Sequence, residues 1–166
     1  MTDFIDKLKA IVGERGLIID EPGKHPYLTD WRENYLGAAL AVVRPATTEE
    51  VAAVVKLCIA EKVAIVPQGG NTGMMGGGTP HQQGREIVLS LNRMNRIIEV
   101  DAIGYTMTVE AGVVLKTIQE TAAQHDRLFP LSLPAGGSCT IRGNLSTHAR
   151  GGQGVHHRKA RPAVLR

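Results

Sequence analysis

The feature that most restricts how this chain can fold is a run of small residues directly after an apolar stretch. Residues 69–78 contain six glycines, and glycine loses more backbone freedom on folding than any other residue. Because a simple connector has no need of so unfavourable a sequence, the pattern indicates a backbone that serves a purpose. Successive glycines can turn consecutive N–H groups inward, and the resulting concave nest binds phosphate oxygens without a lysine.

Two side chains and two familiar motifs refine this interpretation. Asn71 and Thr72 carry an amide and a hydroxyl that suit phosphate oxygens. The segment lacks the Gly-Lys-Ser/Thr ending of a P-loop, and Thr79-Pro80 continues it as a loop where a dinucleotide-binding motif would open a helix. Glycine content alone also fits a flexible surface hairpin. The sequence therefore predicts a phosphate nest of neither common type, with the hairpin as the alternative.

Hydrophobic periodicity predicts alternating helices and strands around this loop. A capping box at Thr47-Thr-Glu-Glu50 precedes an apolar helical stripe, and a second loop of small residues begins at Pro134. The predicted segments are a helix at 3–12, an irregular lead-in at 17–40, a strand at 40–43, a helix at 47–59, strands at 63–66, 87–91, 97–100 and 105–110, and a helix at 114–124.

Composition and charge exclude several classes of function. The chain has 166 residues, 43% of them apolar, which suits one ordinary core. Its net charge of +3 comes from residues 142–166, which hold 6 basic residues and no acid, whereas residues 1–141 hold 13 basic and 16 acidic residues. Few aromatic residues and the lack of a reader motif argue against a nucleic-acid partner. The basic tail is expected to be solvated, and no apolar run is long enough to span a membrane.

Cysteine and histidine spacing gives no reason to expect a metal. Cys58 and Cys139 lie far apart in the sequence and are predicted to be reduced thiols. His156 and His157 are adjacent and have no cysteine or carboxylate nearby, which makes a poor ligand set. The first residues mix acids with bases and lack the basic cap and apolar stretch of a secretory signal, so we expect a cytoplasmic protein.

Four segments, in the same order, carry a resemblance to a known family. They are Arg44-Pro-Ala-Thr-Thr-Glu-Glu-Val51, Pro67-Gln-Gly-Gly-Asn-Thr-Gly73 with Gly76-Gly77, Thr108-Val-Glu-Ala-Gly112, and Phe129-Pro-Leu-Ser-Leu133 with Gly137-Ser-Cys-Thr-Ile141. Together they resemble the FAD-linked oxidases of the vanillyl-alcohol oxidase and p-cresol methylhydroxylase type. The branch most similar to them contains the D-lactate, glycolate and D-2-hydroxyglutarate dehydrogenases, and the resemblance covers roughly residues 40–147.

The resemblance implies an α+β fold, the N-terminal part of a p-cresol methylhydroxylase-type FAD-binding domain. This fold is a small mixed sheet flanked by helices, with the second subdomain incomplete. The implied divisions are a helix and lead-in at 1–39, a partial FAD-binding domain at 40–147, and a basic, disordered or frameshifted tail at 148–166. FAD would be the cofactor, and a small 2-hydroxy acid would be the substrate of the complete enzyme.

The resemblance also implies which residues contact FAD. The pyrophosphate residues would be Pro67, Gly69, Gly70, Asn71, Thr72, Gly73, Gly76 and Gly77, and those beside the flavin ring and ribityl chain would be Pro134, Gly137, Ser138, Thr140, Gly143, Asn144 and Thr147. As an alternative, the hydroxyls of these loop residues bond their own backbone. Glu110 and Gly112 equally fit a strand end and its turn. In this family the catalytic base, the substrate-binding arginine and any metal ligands come mostly from a later domain, so no catalytic or metal residue is assigned.

Two residues depart from the family pattern. Arg142 stands where the pattern has a glycine, and His148 stands where it has an asparagine. A bulky cation thus occupies a position where close approach of the backbone to the flavin is expected. From residue 153 onward the sequence matches nothing in the family, and its Arg, His and Gly content is typical of an out-of-frame reading of a G+C-rich gene. The second hypothesis is therefore a truncated, non-catalytic remnant that binds FAD weakly or not at all and is prone to self-association.

Overall fold

A computed structural model describes residues 2–149, which belong to two compact units divided between Met94 and Asn95. The first unit contains α1 (Thr2–Val12), a 3-10 turn (Glu14–Gly16), β1 (Leu17–Ile18), α2 (Glu21–Leu28), β2 (Ala41–Val43), α3 (Thr48–Ala60), β3 (Ala64–Gln68) and β4 (Glu86–Ser90). The second unit contains β5 (Ile97–Asp101), β6 (Thr106–Val109), α4 (Leu115–Gln124) and α5 (Ile141–Ser146). Among the described residues, no helix is long and apolar enough to cross a membrane.

The first unit is built on a four-stranded mixed sheet with the order β1-β2-β4-β3. β1 is antiparallel to β2, whereas β2, β4 and β3 are parallel to one another. The carboxyl ends of parallel strands lie at one edge of a sheet, where open α/β sheets commonly bind ligands. The glycine loop leaves β3 at this edge.

Both faces of this sheet are buried at its two central strands, β2 and β4. Because successive side chains of a strand point to opposite faces, Val43 packs with Ile87 and Leu89 on one face, and Val42 packs with Val88 on the other. The first face is covered by apolar residues of α1 and α3, of which Leu8 and Val54 are fully buried. The second is covered by Leu28 of α2, with Ala39.

The helix predicted from the capping box is confirmed as α3. The Thr47 hydroxyl accepts the N–H of Glu50 at 3.2 Å, and the Glu50 carboxylate accepts the N–H of Ala46 at 2.7 Å. The two side chains thereby satisfy donors that a helix start leaves without partners.

The prediction of an irregular lead-in at 17–40 is wrong, because this segment contains β1 and α2. Asp20 caps α2 by accepting the N–H of Gly23 at 2.7 Å. Inside the helix, the buried Lys24 donates from Nζ to the carbonyl of Ala39 at 3.0 Å. Proline and glycine hide so short a helix from periodicity, and tertiary contacts stabilise it in place of propensity. The pairing of β1 with β2 joins residues 1–39 to the residues after them in one unit.

The second unit contains a two-stranded antiparallel sheet, β5 with β6, with a register shift between Ile97 and Glu99. α4, which the sequence predicted, buries Leu115, Ile118 and Ala122. α5 was not predicted, and it forms within the second loop of small residues.

Candidate cofactor site

The glycine loop, residues 69–78, leaves its backbone donors available. In the bonds among residues 2–149, none of its N–H groups acts as a donor, and the loop closes with the N–H of Thr79 donating to the carbonyl of Gly76 at 3.0 Å. Two of its residues adopt the left-handed region, Asn71 at φ 51° and Gly76 at φ 70°. Such angles turn neighbouring N–H groups toward a common side, which is the geometry of an anion nest.

The surroundings of individual glycines show which side of the loop is open. A Cβ atom added at Gly73 or Gly77 would meet nothing within 4 Å. At Gly76 an added Cβ would lie 3.1 Å from the ring of Tyr35, so the aromatic ring packs against the loop backbone at this point. The loop therefore has one supported side and one side from which a ligand can approach the backbone.

Two side-chain amides hold the loop from the supported side. Gln68, only 2% exposed, donates from Nε2 to the carbonyls of Tyr27 at 2.9 Å and Gly78 at 2.8 Å. Asn71 donates from Nδ2 to the carbonyls of Pro26 at 3.2 Å and Thr29 at 2.7 Å. The side-chain N–H groups of Asn71, which the sequence predicted to contact phosphate, therefore donate to carbonyls of the protein itself.

Sequence reasoning did not select Gln68 as a site residue. The signal was present, because an amide side chain ends an otherwise apolar strand immediately before the glycines. A buried amide requires hydrogen-bond partners, and here these partners are the two carbonyls that fix the loop. Of the other predicted residues, Pro67 pairs with Leu89 in the sheet, and Thr72 is half-buried in the loop.

The second loop, residues 134–147, uses its backbone differently. Many of its N–H groups donate to backbone carbonyls. These donors belong to Gly136, Ser138, Cys139, Ile141, Arg142, Asn144 and Thr147. The Thr147 hydroxyl donates to the carbonyl of Gly143 at 2.9 Å, as the alternative of local bonding expects. The buried Asn144 lies with Nδ2 3.6 Å from the Cys139 sulfur.

Two features of the second loop suit a polar ligand. The Thr140 hydroxyl is buried and has no hydrogen-bond partner among the described residues, and a buried polar group without a partner is unfavourable unless a water or ligand satisfies it. A Cβ atom added at Gly137 would meet nothing within 4 Å. Ser138 and Pro134 are exposed.

Arg142 lines a cavity of about 1070 Å³ in the second unit, together with apolar residues such as Met107, Ile118 and Phe129. The predicted FAD residues are not among those that line the cavity. His148, the second departure from the pattern, adopts φ 52° after α5. The obstruction expected from Arg142 stays a prediction.

Glu110 belongs to an ion pair at the strand end. Its carboxylate accepts the Nη2–H of Arg96 at 2.7 Å, the Nε–H at 3.0 Å and the backbone N–H at 2.8 Å. These bonds hold the pKa of the Glu110 carboxyl below its usual range. The residues after Glu110 accept hydrogen bonds from the start of α5. The N–H of Arg142 donates to the carbonyl of Ala111, and the N–H of Ile141 donates to the carbonyl of Val113. The ion pair thus stabilises the turn that supports the second loop.

The chain is similar to known proteins in sequence and in fold. The profile of the FAD binding domain family matches residues 39–165, so the expectation that the sequence from residue 153 onward matches nothing in the family is wrong. A probable mitochondrial D-2-hydroxyglutarate dehydrogenase of Oryza sativa subsp. indica is 35% identical over 99% of this chain and 29% of its own length. A putative mitochondrial D-lactate dehydrogenase of Schizosaccharomyces pombe is 37% identical over 89% of this chain and 29% of its own length.

Solved structures agree with this fold. A p-cresol methylhydroxylase with substrate bound matches with a TM-score of 0.74 and 28% identity, over 90% of this chain and 29% of its own. An alkyldihydroxyacetonephosphate synthase matches with a TM-score of 0.80 at 20% identity, which shows the fold alone, over 92% of this chain and 30% of its own. The predicted α+β fold of the p-cresol methylhydroxylase type is confirmed. The chain spans about 29% of the length of these curated relatives.

Proposed function

The chain belongs to the FAD binding domain family, and from that membership we propose that its glycine loop holds the pyrophosphate of FAD in a flavin-dependent 2-hydroxy-acid dehydrogenase. The observation that carries the proposal is the run of N–H groups at 69–78 that donate to no other described residue. A pyrophosphate offers only acceptor oxygens, so a loop whose N–H groups donate to no other described residue is suited to bind it.

Five glycines would supply most of the pyrophosphate contacts. The open space beside Gly73 and Gly77 allows an oxygen to approach the backbone where any larger residue would place a Cβ. Gly69, Gly70 and Gly76 continue the same backbone path. The Thr72 hydroxyl would donate an additional hydrogen bond, and Pro67 would fix the direction in which the chain enters the loop.

The second loop would lie beside the flavin and its ribityl chain. The unpartnered Thr140 hydroxyl and the open Gly137 support this assignment, whereas Asn144 and Gly143 would shape the backbone from within. When bound, FAD supplies the hydride acceptor for the α-carbon of a 2-hydroxy acid. The residues of this chain would bind and orient the cofactor, and none of them is assigned as the base that removes the hydroxyl proton.

The substrate class rests on the names of the relatives. The proteins of Oryza sativa and Schizosaccharomyces pombe are named as D-2-hydroxyglutarate and D-lactate dehydrogenases, so a D-2-hydroxy acid is the proposed substrate of the whole enzyme. Because the chain spans about 29% of their length, a second candidate is FAD binding without turnover by this chain itself. A cytoplasmic location stays a prediction, since both relatives are named as mitochondrial.

Self-association is proposed on separate grounds. Three large apolar side chains are almost fully exposed, namely Met75 at 87%, Ile103 at 91% and Leu128 at 83%. Because exposed apolar surface can mark an interaction site or a tendency to aggregate, we propose that these side chains contribute to contacts between copies of the chain. Concentration-dependent sedimentation would support self-association, and a monodisperse monomer at every concentration would contradict it.

The proposed function is tested by the visible absorbance spectrum of the purified chain, before and after incubation with excess FAD and desalting. Retained flavin bands are the expected result, and a colourless protein after incubation would contradict FAD binding. A chain that retains flavin is then mixed with D-2-hydroxyglutarate, D-lactate or glycolate without oxygen. Bleaching of the flavin band by one of them would support turnover by this chain, and an unchanged band would favour the candidate that binds without turnover.

A further inference from the structure

We propose that Gln68 and Asn71 are positioning residues, which shape the glycine loop by tying it to the end of α2 and thereby set its affinity for FAD. This inference rests on the proposed function of the loop. It assigns Asn71 a role that differs from the direct phosphate contact expected from the sequence, and it adds Gln68 and α2 to the site.

The bonds of Gln68 connect three parts of the first unit. The residue ends β3, and one amide group bonds Tyr27 in α2 and Gly78 at the far end of the glycine loop. With 2% of its surface exposed, the amide is shielded from water, and a buried hydrogen bond of this kind strongly favours a single arrangement. The start and end of the loop are therefore held at a fixed separation.

The bonds of Asn71 explain why an asparagine stands among glycines. Its φ of 51° is an angle that glycine adopts without strain and asparagine adopts more readily than most residues. Its Nδ2 group bonds the carbonyls of Pro26 and Thr29, which a glycine could not do. The remaining side-chain atom, Oδ1, is an acceptor and repels deprotonated phosphate oxygens. In this arrangement the Asn71 side chain bonds the protein and does not contact the phosphate.

The partner carbonyls have a common origin. A helix leaves its last four carbonyl groups without intrahelical donors, and α2 ends at Leu28. Asn71 satisfies Pro26, Gln68 satisfies Tyr27, and the N–H of Gly37 satisfies Leu28 at 2.9 Å. The loop side chains thus cap α2, and α2 in turn orders the loop.

The side-chain bonds to α2 matter because the loop has few backbone hydrogen bonds that would order it. The one backbone bond that its described residues accept from a neighbouring N–H runs from Thr79, just after the loop, to Gly76, and six glycines would otherwise sample many conformations. A binding loop that is already ordered loses less entropy when the ligand binds. The two amides are therefore expected to raise FAD affinity without touching FAD.

The experiment compares three variants of the full chain, each of which replaces one uncharged residue with another. Gln68→Met keeps the length of the side chain and removes its donors, whereas Asn71→Gly keeps the left-handed angle and removes the amide. Gln82→Met is the matched control, because Gln82 is exposed. Backbone ¹⁵N relaxation of residues 69–78 is measured without FAD, and FAD affinity is measured by flavin fluorescence.

We expect order parameters in the loop to fall from about 0.85 to below about 0.6 in Gln68→Met and Asn71→Gly. FAD affinity should fall about tenfold in both, and the control should match the unaltered chain. Weakened FAD binding with an unchanged loop would overturn the proposal in favour of direct contact, and unchanged affinity with a disordered loop would overturn it as well.

Two outcomes are separated by design. If the unaltered chain does not bind FAD, the proposed function fails, whereas the ordering role is still decided by relaxation in the absence of FAD. If Gln68→Met does not fold, Asn71→Gly decides, because it introduces neither strain nor a buried unpaired group on its own side chain. An Asn71→Gly loop as ordered as the original would then overturn the proposal.

Discussion

The glycine loop at 69–78 and the second loop at 134–147 are both rich in small residues and differ in what their N–H groups bond. In the second loop, turns and the short α5 use most of the donors internally. In the glycine loop, the side chains of Gln68 and Asn71 tie the backbone to α2 and the residue after it, and no N–H group of 69–78 donates to another described residue. The two loops therefore differ in how many N–H donors remain available for a ligand.

The largest expected effect is on the free energy of unfolding, from a substitution in the residues that pack beside the end of the glycine loop. A Cβ atom at Gly37 would collide with the carbonyl oxygen of Pro80, and backbone offers less room to yield than a flexible side chain. Gly37→Ala should destabilise the first unit by about 3 kcal/mol, measured by urea unfolding. Gly73→Ala is the matched control, since its added Cβ meets nothing within 4 Å. Equal stabilities of the two variants would contradict the described packing.

The next effect concerns the support of the second loop. Glu110→Gln removes the charge that pairs with Arg96 and should lower the melting temperature of the second unit by about 4 °C at neutral pH. Arg96 is 74% exposed in its side chain, so solvent screens part of the pair. Glu120→Gln is the control, because its carboxylate is exposed and lies 3.7 Å from Lys116. A drop of equal size in the control would contradict a special role of Glu110.

Acid should weaken the same contact. Hydrogen bonds from Arg96 hold the pKa of the Glu110 carboxyl below its usual range, so the folded state binds this proton less readily than the unfolded state. Its contribution is present above the ordinary glutamate pKa of about 4.3 and is lost as pH falls through the folded-state value. The stability of the unaltered chain should therefore fall more steeply below that pH than the stability of Glu110→Gln. Parallel curves would show that another group dominates.

A smaller effect is expected on FAD affinity, and it should differ between variants of the glycine loop and variants of the second loop. Gly73→Ala and Gly77→Ala place a methyl group in the open space where the pyrophosphate is proposed to lie. FAD affinity should fall about tenfold, equivalent to about 1.4 kcal/mol, with no change in melting temperature. Gly137→Ala, also in open space, should have less effect because many donors of its loop are already used. Unchanged affinity in both glycine-loop variants would contradict the nest.

The smallest effect is on thiol reactivity. Burial raises the pKa of the Cys58 thiol to about 11 and raises the pKa of the Cys139 thiol, so little thiolate forms at neutral pH in either unit. Both cysteines should react slowly with a disulfide reagent in the folded chain and rapidly in denaturant. Rapid reaction of Cys139 alone in the folded chain would show that the second loop opens.

Sequence reasoning found the elements whose periodicity is strong. The capped helix α3, the strand that enters the glycine loop and the largely buried β4 follow from apolar patterns in the local sequence. α2 was missed because its stability comes from Lys24, Leu28 and the capping of its end by distant amides. No local pattern records a bond between residues that are 41 positions apart, such as Gln68 and Tyr27.

The candidate site was predictable to a similar extent. The glycine loop could be predicted from adjacent residues because a run of glycines is a local pattern, whereas the fold family followed from four segments in order along the chain. The orientation of side chains could not, and Asn71 shows why: an amide suits a phosphate oxygen and a backbone carbonyl equally well. Only the fold, which brings Pro26 and Thr29 to the loop, decides between them.

The most direct test of the central claim is a titration of the ¹⁵N-labelled chain with FAD, followed by the shifts of assigned backbone amides. We predict that the first and largest shifts occur at Gly69 to Gly78, and that inorganic pyrophosphate moves a subset of the same signals. Shifts confined to residues outside this loop, or none at an excess of FAD, would contradict the assignment of the glycine loop as the pyrophosphate site.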